Sequence, residues 1–247
     1  MAKTNIAWCT HSLNWIKWFC TKASPGCQHC YMLELAKRYP AGWADRPTWR
    51  DNAMKDYRAI PSGAEVFVGD MYDVFHEQMP LRYIHWHFNA AIARPDVTWL
   101  FLTKRIERAF YLAPYLALAP NVWLGTSVEN ADYAWRIDYL RRIPIARKFI
   151  SFEPLIGSVG DVSLKGIDGV ITGAESGGNR RPFDPVWASE ILALAKRDGA
   201  AFFHKQGSHF KPGMNRELYG VIHDDLAWRT KVSGVPNAPV PSQMEMF

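Results

Sequence analysis

The chain has 247 residues, 48% of them hydrophobic, with a formal net charge of +5 and a pI near 9.0. That length fits one large domain, and α/β barrels of this size are ordinary. No apolar run reaches the roughly eighteen residues of a membrane span, and the opening Met1-Ala2-Lys3-Thr4-Asn5 lacks the apolar core of a secretory signal. A membrane class is therefore excluded and a cytoplasmic protein predicted. The basic balance is compatible with a nucleic-acid partner. The eleven tryptophans are either core filling or stacking surfaces for a flat substrate.

Short β-rich runs ending in a polar or charged tip recur along the chain. They fall at residues 5–8, 64–70, 97–104, 122–129, 148–153, 169–175 and 201–205. Most are near-continuous apolar runs, as in parallel strands buried on both faces. Helical patterns alternate with them. Tyr31 to Tyr39 forms one; Leu81, Ile84, Phe88 and Ile92 share a stripe; Asn130 is placed to cap a helix carrying Tyr133, Ile137 and Leu140. Asp184-Pro185 starts a helix that ends at Gly199. The segment between Glu153 and Asp168 is too glycine-rich for a full helix. This alternation predicts a parallel α/β barrel or a doubly wound sheet over residues 1–219. Residues 220–247, with Pro236, Pro239 and Pro241, read as a loose C-terminal extension.

Cys20, Cys27 and Cys30 form a C-x6-C-x2-C loop after the first strand, with no fourth cysteine close behind. Closed zinc and iron–sulfur sites take four ligands, so three soft donors leave one metal corner open for chemistry. Ser24-Pro25-Gly26 supplies the turn before Cys27, and Cys30 precedes a helix whose N-terminal dipole favours negative charge. Two alternatives remain: a zinc site completed by Cys9, His11 or His29, and a redox C-x-x-C pair that leaves Cys20 unexplained. Cys9 otherwise reads as a buried thiol. In a barrel the strand C-termini carry the active site. Asp70, Thr103, Lys104, Ser127, Glu129, Glu153, Glu175, His204 and Lys205 should therefore converge on one mouth beneath the cysteine loop. About half of them would serve only in ordinary loop hydrogen bonds.

Three clustered cysteines after a first strand on such a barrel resemble the radical S-adenosylmethionine (SAM) superfamily, although the usual spacing there is C-x3-C-x2-C. More narrowly, the chain resembles the phage Gp37/Gp68-like family, a domain of unknown function. The resemblance rests on Thr21-Lys22-Ala23-Ser24-Pro25-Gly26-Cys27-Gln28-His29-Cys30-Tyr31, Val66 to Glu77, Leu102-Thr103-Lys104-Arg105, Trp123 to Glu129, Ser151-Phe152-Glu153-Pro154-Leu155 and Gly173-Ala174-Glu175-Ser176-Gly177. These motifs extend from about Trp8 to Gly207. The family's first motif, Thr-Trp-Asn-Pro-x-x-Gly-Cys, lacks its proline and glycine here.

The resemblance implies a partial or near-complete (β/α) barrel of the radical SAM type. Cys20, Cys27 and Cys30 would hold a [4Fe-4S] cluster whose open iron binds SAM, and an electron donor would serve as partner. Asp70, Thr103, Lys104, Ser127, Glu129, Glu153 and Glu175 would bind the cofactor. Glu129 and Glu153 rank first among them, because an unpaired charge ending an apolar strand is costly; a buried ion pair is the competing explanation for each. The phage context and basic balance imply a DNA base as substrate, with modification or isomerisation of a hypermodified thymidine as the reaction. The competing readings are a spore-photoproduct-lyase-like repair enzyme, a zinc-stabilised nucleic-acid binder, and a cluster protein without chemistry. The sequence is silent on the atom attacked, the fate of SAM and the oligomeric state.

Overall fold

Seven parallel strands, hydrogen-bonded in strict chain order, form the body of the protein in the computed structural model, which describes residues 3–39 and 42–226. They are β1 (His11–Leu13), β2 (Glu65–Val68), β3 (Thr98–Thr103), β4 (Val122–Ser127), β5 (Arg147–Phe152), β6 (Gly169–Gly173) and β7 (Ala201–Gln206). Parallel neighbours need crossovers, and crossovers of one hand put the helices on one face. The sheet curls away from that face into a half-barrel.

The helices are α1 (Tyr31–Arg38), α2 (Ala53–Arg58), α3 (Leu81–Ile92), α4 (Ile106–Leu112), α5 (Arg136–Arg142) and α6 (Pro185–Asp198). Ile84 and Phe88 of α3, Ile137 and Leu140 of α5, and Ile191 and Leu194 of α6 join the outward-facing strand residues Val66, Trp99, Leu124, Ile150 and Val170 in one large core. The alternate strand residues Phe67, Leu100, Trp123, Phe149, Ile171 and Phe203 form a second apolar layer with Trp8 and Cys9 on the concave face. The period-2 alternation of strands thus gives each a helix-facing set and a lumen-facing set. In the lumen, Gly125 makes room for the Phe149 ring: a Cβ at Gly125 would lie 2.5 Å from ring atoms. Gly125→Ala is expected to cost about 1–3 kcal/mol by overpacking, readable as a lowered urea midpoint.

Several expectations are corrected. The first strand lies at His11–Leu13, not at residues 5–8; Ala7 and Trp8 form a turn, and the Trp8 ring stands 4.7 Å from Phe67 in the concave layer. A four-residue apolar run does not distinguish a strand from a core plug. Asn130 heads a short 3-10 turn, Ala131–Tyr133, without a side-chain cap, and the α-helix begins only at Arg136. Helices α2 and α4 were not anticipated. Tryptophans 8, 15, 18, 99 and 123 are buried, so these five fill core instead of offering stacking surface. The remaining six strands fall within a residue or two of their expected tips, and no helix interrupts the β5–β6 connection. At α6 the Asp184 carboxylate accepts a bond from Val186 N–H at 2.9 Å, and Gly199 closes the helix with φ 79°. The proposed boundary at 219 falls inside a small hairpin, β8 (Glu217–Leu218) with β9 (Val221–Ile222), and Asp224 bridges back to Phe203. Pro236, Pro239 and Pro241 lie outside the described residues.

His87 on α3 is fully buried; Nδ1–H donates to the Tyr83 carbonyl, and Nε2 accepts from the Tyr72 hydroxyl at 2.8 Å. Both ring nitrogens are used in the neutral tautomer, so a second proton would require the Tyr72 hydroxyl to turn its own proton away. Burial lowers its pKa to about 4. The unfolded chain therefore binds the proton first, and stability falls as pH drops from about 6.5 towards 4. Between pH 7 and 5 this group alone should remove about 2 kcal/mol. A urea midpoint that is unchanged over that range would contradict the assignment.

Candidate functional site

The residues from Cys20 to Tyr31 cross the C-terminal mouth of the half-barrel, fastened to one strand tip after another. At the start of this loop Thr21 meets buried His76: Nε2–H donates to Thr21 Oγ1 at 2.7 Å, while Nδ1 accepts from Gln78 N–H at 3.0 Å. Arg105, just after β3, donates to the Thr21 carbonyl at 3.1 Å and holds Glu77 through both carboxylate oxygens at 3.0 and 2.9 Å. Its second partner is Asp73 at 3.3 Å. Burial opposes the Arg105 charge, yet Asp73 and Glu77 outweigh it and hold the pKa above the ordinary value.

Ser24 donates to Glu129, and Lys104 Nζ bonds the same carboxylate oxygen. Arg136 Nη1 takes the other oxygen at 2.9 Å and the Ser127 carbonyl at 2.8 Å. Glu129 is 0% exposed and Arg136 2%, so an ion triad sits directly under the loop. Gly26 rests on this carboxylate: a Cβ there would lie 2.5 Å from Glu129 Cγ. Next, His29 Nδ1 pairs with Glu175 Oε2 at 3.0 Å, and Glu175 also accepts from Arg181 N–H at 2.7 Å and Nε–H at 3.1 Å. Burial raises the Glu175 pKa, but the bonds from Arg181 and His29 prevail and lower it. Finally, the Tyr31 hydroxyl, at the first residue of α1, donates to the Asp70 carbonyl at 2.6 Å. Four tips, those of β2, β3, β4 and β6, thus secure one twelve-residue span.

The three cysteines are half-buried within this span. Burial pushes the Cys20 thiol up to about 12, and Asp73, Cys30 and Cys27 add to the rise. Burial likewise raises Cys30, against the N–H groups of Met32 and Leu33 at the start of α1. Each of these two thiols also feels a neighbouring cysteine of the loop, which disfavours its ionisation. Among the described residues no group of three or more His, Cys, Asp or Glu is placed to hold a metal ion. A four-iron cluster differs from a single ion in needing its thiolates on separate irons. The donor set of three thiols on one strapped loop therefore fits such a cluster in chemistry. Cys9 lies in the concave apolar layer and His11 pairs with Thr10 Oγ1 at 2.8 Å at the head of β1; neither accompanies the loop.

Other polar tips face the lumen above the apolar layer. Asp70 is bonded by Asn14 Nδ2, and burial raises its pKa. Glu153 pairs with Lys205 at 2.9 Å, accepts from Ser151 Oγ at 3.2 Å, and closes over Gly173, where a Cβ would meet Oε1 at 2.3 Å. Ser127, buried, stands on the same face of β4 as Gly125. Two tips turn to the outer layer instead. Thr103 Oγ1 donates to Asp73 at 2.7 Å and accepts from Arg105 N–H at 2.8 Å. His204 shares a 2.8 Å hydrogen bond with Thr172 Oγ1.

Residues 3–230 match the model of a family described as protein of unknown function (DUF5131). The chain belongs to the DUF5131 family. No curated protein and no solved structure matches it. In this DUF5131 chain the strand tips do converge, but Glu129 and Glu175 act as fasteners of the cysteine loop through Ser24 and His29. Lys104 is committed to Glu129. Asp70, Ser127 and Glu153 with Lys205 remain as the lumen-facing polar set. The sequence reading missed Asp73 and His76 as anchors, although both lie in the stretch Val66 to Glu77; two polar residues inside so apolar a run were the available signal. Arg136 was missed as well, for it looks like one more basic residue on a helix.

Proposed function

We propose that the chain is a radical SAM enzyme that modifies or isomerises a hypermodified thymidine base in phage DNA, acting in the cytoplasm of the host. The supporting observation is a loop of three thiols strapped across the C-terminal mouth of a parallel half-barrel, above a lumen that is polar at its rim and sealed by aromatics below. Cys20, Cys27 and Cys30 would hold a [4Fe-4S] cluster, leaving one iron for SAM, with an external electron donor. Bound there, these groups would supply one-electron chemistry for taking a hydrogen atom from an unactivated carbon. The protein's own part is placement and protection. Asp70 and Glu153 present carboxylate oxygens, and Ser127 a hydroxyl, to the amine and ribose hydroxyls of a bound cofactor. Lys205 offers an ammonium beside Glu153 for a carboxylate or phosphate. The layer from Trp8 to Phe203 keeps water from entering beneath the reacting centre.

Among the described residues no helix is long and apolar enough to cross a membrane, and the DNA substrate agrees with the net charge of +5. The test is anaerobic purification with metal analysis. About four irons with acid-labile sulfide per chain, and deoxyadenosine formed from SAM with dithionite, support the reading. One zinc and no iron would replace it with a zinc-stabilised binder. Product analysis on duplex DNA carrying an amino-acid-substituted thymidine, against the free nucleotide, then tests the substrate.

A further inference from the structure

Beyond β6 and β7 the chain does not turn away from the mouth but continues as two loops joined edge to edge. Ser176 pairs with His209 in a parallel bridge, and Gly177 N–H donates to the carbonyls of His209 at 3.2 Å and Phe210 at 3.0 Å. Arg180 reinforces the seam, donating from Nη1 to the Gly177 carbonyl at 2.9 Å and from Nε to Ser208 Oγ at 3.1 Å. The second loop folds back under Gln206, whose Oε1 accepts from Gly213 N–H at 2.7 Å, and under Asn215, whose carbonyl accepts from Gly207 N–H at 2.7 Å. A double loop with its own hydrogen bonds results, and Phe210 on it is 65% exposed. An aromatic ring held in water by a well-bonded scaffold gains nothing from folding there. Lys211 beside it and Arg180 are exposed too.

The charge of the pair is one-sided. Residues 176–183 and 207–216 hold Arg180, Arg181, Lys211 and Arg216 and no Asp or Glu. Arg181 is spent on Glu175 and Arg216 on Asp224, which leaves two exposed cations on the double loop: Lys211, next to Phe210 in sequence, and Arg180, bonded along the seam only to uncharged groups. The double loop is continuous with the site, because Arg181 and His29 share the Glu175 carboxylate.

We infer that this double loop is a platform for a single strand or flipped-out stretch of nucleic acid, Phe210 stacking on an unpaired base while Lys211 and Arg180 take the flanking phosphodiesters. Stacking on an exposed ring together with nearby cations is the chemistry of sequence-tolerant strand binding. An enzyme acting on a base must also take that base out of the helix. This inference rests on the DNA-base reading above and names where the strand would be gripped.

The test is fluorescence anisotropy of the full-length, anaerobically purified protein with a labelled single-stranded oligodeoxynucleotide, over a salt series. Phe210→Ala should weaken binding about 5- to 100-fold, and Phe210→Trp should restore it. Lys211→Ala should weaken binding and flatten the log–log salt slope by about 0.7. Lys196→Ala, on exposed α6 surface, should leave both unchanged. Equal affinities for wild type, Phe210→Ala and Lys211→Ala overturn the platform. So does a loss with Lys211→Ala that polyglutamate competes away as readily as DNA while Phe210→Ala has no effect, since the surface would then be a general polyanion contact. Failure of the radical-chemistry reading shows instead as absent iron and absent deoxyadenosine, whatever the DNA affinity.

Discussion

Replacing any one of Cys20, Cys27 or Cys30 with Ala should abolish deoxyadenosine formation from SAM and strip most of the iron, while the fold survives. The asymmetry follows from where the thiols stand. They are half-buried on a loop whose attachment runs through other side chains: Thr21 to His76 and Arg105, Ser24 to Glu129, His29 to Glu175 and Tyr31 to Asp70. Removing one sulfur leaves all of these straps in place, so the stability of the apo-protein should change by no more than about 1 kcal/mol. A cluster site of three donors would have no spare ligand, however, and losing one would leave two irons without a protein ligand. Iron content, visible absorption near the charge-transfer region and deoxyadenosine yield would be measured side by side with a thermal melt. Retention of full iron in all three variants would remove the cluster assignment. Zinc in place of iron in the wild type, with a large drop in the melting temperature of each metal-loaded variant, would instead make the cysteines structural, as expected of a closed zinc site whose metal contributes folding energy.

The architecture was legible because lumen-facing and helix-facing residues are both apolar in a parallel sheet, so that runs such as 97–104 and 169–175 stand out from the polar chain around them. The strand tips were legible for the same reason: a charge at the end of an apolar run needs an explanation. What the tips do was not. Glu129 reads as a ligand until its partners are known; Ser24 lies 105 residues away in sequence and Arg136 only seven, on a helix where it looks ordinary. The His29–Glu175 strap spans 146 residues, and no local pattern carries that information. Thr103 follows the same logic in reverse. Its position at the end of β3 suggested a ligand, but period-2 alternation turns it outward, away from Leu102 and towards Asp73. The first strand was misplaced because a run of four residues carries too little periodicity to fix a strand, whereas Trp8 was available to fill the lumen floor.

Glu129→Gln tests the load carried by the ion triad, and its expected effect on stability is the largest of any single polar change considered. The glutamine keeps the shape and can still accept from Ser24, but it leaves two cations facing each other. Lys104, with 19% of its side chain exposed, can swing towards solvent; Arg136, at 2%, cannot. Burial already lowers the Arg136 pKa, against the opposing pull of Glu129, and its Nε finds no hydrogen-bond partner among the described residues. Tyr133, its ring centroid 4.4 Å from the guanidinium, offers a π face and no charge. Removing one member of a buried pair commonly costs about 3–5 kcal/mol, mostly through the partner left uncompensated. The double variant Glu129→Gln/Arg136→Met should recover much of that loss, because an apolar side chain of similar length removes the orphaned charge. Urea unfolding of the wild type, both single variants and the double variant gives the cycle. Iron retention separates the second role: if Glu129 also seats the cysteine loop through Ser24 and Gly26, the double variant should be stable yet hold iron less well than the wild type. Additive single effects would dissolve the triad, and full iron retention in the double variant would reduce it to a core ion pair with no part in the loop above it.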